Sequence, residues 1–133
     1  MQTITIALFG EAEKGEYHTA YYLRTLPELV ENLGNPPPDT SGLFCAVQVL
    51  LYQSSLLFFR VREEGFSYQD YLDGLHLLQD QWTISPISAL YLPGVGDAAI
   101  IEVMLNYCRR HHSIMITREN DFYDYLTCRS NQN

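Results

Sequence analysis

Between residues 56 and 117 the apolar and polar positions spell one pattern twice: an apolar run, a turn, a stretch at helical spacing, then another apolar run. Leu56-Leu57-Phe58-Phe59-Arg60-Val61 is apolar without alternation, as in a strand covered on both faces. Ser67 with Asp70 opens the next stretch as a helix cap, and Tyr68, Tyr71, Leu72, Leu75 and Leu78 form its inward stripe. Trp82 to Pro86 returns the chain to a third strand at Ala89-Leu90-Tyr91-Leu92, closed by Pro93-Gly94-Val95-Gly96. Asp97 stands at an N-cap, where its carboxylate accepts from exposed backbone N–H groups. Ile100, Ile101, Met104, Leu105 and Cys108 repeat at helical spacing before the last run, Ile114-Met115-Ile116. Strand–helix–strand within one sheet requires parallel strands and a right-handed crossover, so the pattern predicts an α/β fold.

Upstream, residues 3–9 form a further strand ended by Gly10, and residues 11–22 read as an exposed loop with a turn at Lys14-Gly15. Thr25 with Glu28 is a capping box, Pro27 is tolerated in a first turn, and Gly34 closes the helix after Leu26, Leu29, Val30 and Leu33. Residues 35–42 contain three successive prolines, which exclude helix and central strand and leave a surface linker. Residues 43–52 are apolar nearly all round, which predicts a helix buried on more than one side. Gln53-Ser54-Ser55 is a turn, and residues 121–126 form a short final helix. The expected architecture is one domain over residues 1–133, a three-layer α/β sandwich with a small, mostly parallel sheet of about four strands.

Charge narrows the partners. The formal net charge is −8, from 8 basic against 16 acidic residues, and Lys14 is the one lysine. Phosphate backbones and anionic membranes are bound by neutralising them with Lys and Arg, and no basic cluster exceeds Arg109-Arg110. Neither nucleic acid nor membrane is therefore an expected partner. No apolar run reaches the ~18 residues of a membrane span, and the amino terminus lacks the basic and small-residue signature of a signal peptide. Cys45, Cys108 and Cys128 are an odd set without metal-ligand spacing. Cys45 and Cys108 fall on apolar helical faces, and a reducing cytoplasmic setting is expected.

Several residues invite chemistry. Gly94-Val95-Gly96 before a helix resembles a phosphate cradle, but a dinucleotide fingerprint needs a third glycine and an acidic residue further on, and Asp97 puts negative charge where phosphate would sit. Arg109, Arg110, His111 and His112 complement the dipole of a helix carboxyl end, and no further metal ligand stands near them in sequence. His18 and His76 have no identifiable partner. Glu11, Glu13, Glu119, Asp121 and Asp124 fall after strands, at the edge where open α/β sheets bind ligands, and are a possible cation set beside the commoner role of helix caps. No nucleophile–base motif is present, so no catalytic, cofactor-binding or metal residue is assigned. The ten tyrosines are the unusual feature. Tyr17, Tyr21 and Tyr22 in the first loop and Tyr123 and Tyr125 in the tail are the expected interaction surface, because tyrosine offers apolar area with a hydroxyl that tolerates water.

The order of segments over residues 4–118 resembles the α/β module of contractile tail sheath proteins of phages and related injection systems. The resemblance rests on Gly10-Glu-Ala-Glu-Lys-Gly15 after a strand, Leu26-Pro-Glu-Leu29-Val-Glu-Asn-Leu33-Gly34, and Ala46-Val47 leading to a strand ending Arg60-Val61. It continues through Tyr71-Leu-Asp73-Gly, Leu92-Pro93-Gly94, Tyr107-Cys108 and Ile114-Met-Ile-Thr117. The family's paired glycines are Ser54-Ser55 here, and Arg118-Glu119 stands where its aspartate would follow the last strand. The resemblance includes no counterpart of the arms that tail sheaths extend to neighbouring subunits by β-augmentation, so a lattice woven by such arms is not expected.

The resemblance implies a non-enzymatic structural protein without cofactors, a homo-oligomer or the partner of another structural component. Helical assembly through head-to-tail contacts is compatible with that reading, with no claim of contraction. The alternatives are a soluble adaptor or regulator that does not polymerise, and a small nucleotide- or metal-binding enzyme using the carboxyl edge of the sheet.

Overall fold

A computed structural model describes residues 4–80, 86–118, 120–121 and 125–127. The chain runs β1 (Thr5–Gly10), β2 (Ala20–Leu23), α1 (Leu26–Leu33), α2 (Gly42–Leu51), β3 (Ser55–Arg60), α3 (Tyr68–Asp80), β4 (Ala89–Tyr91), α4 (Ala98–His111) and β5 (Ile114–Ile116). The strands form one five-stranded sheet in the order β2-β3-β1-β4-β5. The β3-β1-β4-β5 part is parallel throughout, and β2 pairs antiparallel with β3.

Strand alternation generates the layers, because neighbouring side chains point to opposite faces. Ala7, Phe9, Leu57, Phe59 and Leu90 face α3 and α4, where they meet Tyr71, Leu75, Ile100, Ile101 and Met104. Leu8, Leu56 and Phe58 face α1 and α2, against Leu29, Leu33, Leu43, Ala46 and Val49. The result is the expected three-layer α/β sandwich, with β1 and β3 apolar on both faces because both are covered.

Local signals place most boundaries. Thr25 Oγ1 accepts from the Glu28 amide at 3.3 Å, and Gly34 at φ 74° returns its N–H to the Val30 carbonyl. Asp97 accepts from Ala99 and Ile100, and His112 ends α4 in the left-handed conformation behind Arg109, Arg110 and His111. Cys45 lies buried on α2 and Cys108 buried on α4, both free thiols. Burial pushes the Cys108 thiol up to about 11, so it remains a protonated core group.

Three expectations change. Residues 11–22 are not all loop: Ala20 and the two tyrosines after it belong to β2, with Tyr21 opposite Phe58 and Tyr22 opposite Leu57. This makes five strands where about four were expected. The helix at residues 43–52 is buried on one side only: Phe44 is 61% exposed, Leu51 63%, and Tyr52 just beyond it 84%. Ser67 and Asp70 do not form a capping box, since Ser67 Oγ accepts from the Glu63 amide and Asp70 turns to Arg62. Of the connection from Trp82 to Pro86, all but Pro86 lies outside the described residues. So do residues 122–124 of the expected final helix, of which residues 121, 125 and 126 are helical.

Candidate functional site

An open α/β sheet binds ligands outside the carboxyl ends of its strands, where the strand order reverses. Here the chain leaves β1 for β3 on one side and returns past β1 to β4 on the other, so this point lies beyond β1 and β4. The loop after β3 passes over it. Gly65, at φ 87°, lies so near the Gly94 carbonyl that a Cβ there would overlap the oxygen. Beside it, the Glu64 carboxylate turns into the amino end of α2 and accepts from the amides of Ser41 (3.0 Å), Gly42 (2.9 Å) and Glu11 (3.0 Å). Glu11 returns the contact by accepting from the Glu64 amide at 3.0 Å. A helix amino end with free N–H groups is an anion site, and the chain supplies the anion itself.

The turn after β4 is engaged in the same way. The Gly94 amide donates to Asp121 Oδ2 at 2.8 Å, and Val95 N–H to the Leu92 carbonyl at 3.3 Å. With Asp97 holding Ala99 and Ile100, the phosphate-cradle residues serve the turn and the cap. The acidic set is spread over such tasks rather than gathered: Glu11 holds Glu64, Glu13 Oε1 accepts from Asn35, and Asp121 holds Gly94. Glu119 and Asp124 lie outside the described residues.

Tyr71 underlies the crossing loop. It is fully buried, stacks on Phe9 with ring centroids 5.3 Å apart, and its hydroxyl accepts from the Gly65 amide at 2.8 Å. Burial pushes its ionisation well above the ordinary tyrosine value, so it stays neutral. Tyr71→Phe should cost about 1–2 kcal/mol, the cost of a buried N–H left without its acceptor, read as a lower urea midpoint at unchanged slope. A midpoint equal to the parent's would show that another group takes over the Gly65 amide.

The expected tyrosine surface does not hold together. Tyr125 is 5% exposed and belongs to the core beside α4, so it offers no contact area. Tyr21 is partly buried on the α1–α2 side, where its hydroxyl accepts from the Glu16 amide, and Tyr22 packs on the opposite side with its hydroxyl donating to Ser55. Alternation along β2 sends the two rings to different layers. Tyr17 is half-buried under the guanidinium groups of Arg60 and Arg62, 4.4 and 4.5 Å from its ring centroid. Tyr123 lies outside the described residues.

Exposed apolar area lies elsewhere. On α2, Phe44, Val47 and Leu51 repeat at helical spacing along the side opposite Ala46 and Val49. Phe44 and Leu51 are exposed and Val47 half-buried, and Val30 of the neighbouring α1 is exposed as well. On the same side of the sheet as α2, Tyr91 of β4 hydrogen-bonds Cys45; burial, then this bond, pushes its hydroxyl up to about 12. Ile114 in the edge strand β5 is 64% exposed.

One further cluster had no signal in the sequence. His18, at φ 58°, brings Nδ1 to 2.7 Å from Asp73 Oδ2, joining the loop before β2 to α3 across 55 positions. A groove of about 400 Å³ runs beside it, lined by His18, Thr19, Ala20, Leu57, Phe59, Leu77 and Leu78. The Thr19 hydroxyl donates to the Tyr17 carbonyl at 3.1 Å. It is thus committed to the loop backbone rather than to the imidazole.

No family model matches the chain, and neither a curated protein nor a solved structure matches it. No helix among the described residues is long and apolar enough to cross a membrane.

Proposed function

We propose that the chain is a non-enzymatic assembly protein, working through surface contact with its own kind or with another structural component, as its sequence resemblance to the tail sheath α/β module implies. The observation that carries this reading is the outer side of α2. A helix apolar nearly all round leaves Phe44 and Leu51 in water when only this chain covers it. Large exposed apolar groups collected on one element mark contact surfaces, whereas singly scattered ones do not. The state of the ligand crevice supports the same reading, because its anion position is filled by Glu64. The buried thiols suit a reducing cytoplasm, and the acidic balance suits partners other than nucleic acid or anionic membrane.

Sedimentation velocity across a wide concentration range tests self-association. The parent chain should form larger species as concentration rises, and Phe44→Asp with Leu51→Asp should raise the concentration needed by at least about tenfold, since two charges would have to be buried unpaired. Both positions are exposed, so the double variant should keep the parent's circular dichroism and Tm within about 2 °C. A parent chain still monomeric near millimolar concentration would overturn self-association and leave the adaptor reading.

A further inference from the structure

We infer that His18, Asp70 and Asp73 form a three-ligand site for a divalent transition-metal ion such as zinc, at the mouth of the groove between β2 and α3. One donor atom from each of the three lies within 4.8 Å of the others, the one such group among the described residues. Asp70 and Asp73 stand three positions apart on α3 and so share a face. The third donor comes from a different segment, so the set exists only in the folded chain. One imidazole and two carboxylates suit zinc and its first-row neighbours better than magnesium or calcium, which take oxygen alone.

The geometry requires small shifts. Zinc bonds of about 2.0–2.2 Å hold tetrahedral donors roughly 3.4 Å apart. The 2.7 Å His18–Asp73 contact must therefore open slightly, and the longest separations must close. His18 is half-exposed and its side chain has room to turn, whereas Asp73 is about one quarter exposed and its Oδ1 accepts from Gln69 Nε2 at 2.9 Å, which leaves Oδ2 as its donor to a metal. In the neutral imidazole the proton on Nδ1 moves through solvent to Nε2 as the metal takes Nδ1, with no net proton change. His18 also lines the groove, from which water could supply a fourth ligand, as in an open metal site.

Arg62 is the competitor. Its backbone amide donates to Asp70 Oδ2 at 2.8 Å and its Nη1 to Asp70 Oδ1 at 2.6 Å. Each of these oxygens keeps a second lone pair for a metal, but the guanidinium charge opposes a cation there. The Arg62 side chain is more than half exposed and also lies over Tyr17, so it can leave Asp70 without unfolding the loop. Arg62 thus sets the affinity of the site, and its removal strengthens binding.

The test is calorimetric titration with zinc, together with cobalt(II) titration read by visible absorption. Expected are binding at one ion per chain, intensified cobalt bands and a raised Tm with zinc. His18→Ala and Asp73→Asn should each weaken binding at least tenfold, and Arg62→Gln should tighten it several-fold. His111→Ala with His112→Ala should change nothing, which separates the site from the exposed histidine pair at the end of α4. No zinc binding by the parent chain overturns the inference. So does binding that survives His18→Ala but vanishes with the His111/His112 change, or binding unaltered in Arg62→Gln, since Asp70 would then not be a ligand. Each outcome is independent of whether the chain self-associates.

Discussion

Gly65→Ala is expected to be among the most damaging single-methyl changes in this protein, lowering stability by about 3 kcal/mol or more. Two causes add. At φ 87° an L-residue is strained, which costs about 1–2 kcal/mol. The added Cβ would also overlap the Gly94 carbonyl, and forcing atoms into filled space costs a further ~1–3 kcal/mol. Neither side can yield freely: Gly65 N–H is fixed on Tyr71, and the Gly94 amide is held by Asp121. For a chain of this size the loss corresponds to a Tm lower by roughly 10 °C in thermal unfolding followed by circular dichroism. A shift under about 2 °C would mean that the two loops do not touch in solution.

Glu64→Ala should cost about 2–4 kcal/mol and, unlike Gly65→Ala, should be partly reversible by a small anion. Removing the carboxylate strips an acceptor from three backbone amides, those of Glu11, Ser41 and Gly42. Hydrogen bonds to charged groups each contribute ~1.5–3 kcal/mol, and water reaching the half-buried position offsets part of their loss. The vacated space at the helix amino end is then shaped for a carboxylate, so formate or acetate should raise the urea midpoint of the variant more than that of the parent. Equal effects on both would show that the amides are satisfied without an anion. Glu64→Gln, which keeps one acceptor oxygen, should fall between the two.

What the sequence disclosed was local. The α4 unit needed only Asp97, an apolar stripe and the short runs either side of it, all within about 30 positions. α1 was bounded by Thr25, Glu28 and Gly34 through contacts no more than four positions apart. The parallel sheet followed from the repeated strand–helix–strand units. β2 escaped because it is four residues long at the sheet edge, follows a polar segment, and finds its pairing in β3, more than 30 positions later. Edge strands need no long apolar run, so periodicity is a weak guide to them.

The candidate sites were less legible for the same reason. Glu64 meets Ser41 and Gly42 across 23 and 22 positions, and no spacing rule links a carboxylate after one strand to the start of a helix before it. His18 and Asp73 are further apart still. The tyrosines were legible as composition but not as placement. Tyr21 and Tyr22 diverge to opposite layers because they are neighbours on a strand, which a loop assignment hides. Residues 43–52 suggested a buried helix from apolar content alone, yet content says nothing of which cover is supplied by the same chain.

The placement of the two described cysteines has a consequence for oxidising conditions. Cys45 belongs to the cluster on one side of the sheet and Cys108 to the cluster on the other. A disulfide needs Cα atoms within about 7 Å, while layers packed on a sheet stand ~10 Å from it on either side. These sulfurs therefore cannot bridge without dismantling the barrier of strands between them. An oxidant acting on the folded molecule would find Cys45 and Cys108 separate and shielded, and no bond would form between these two.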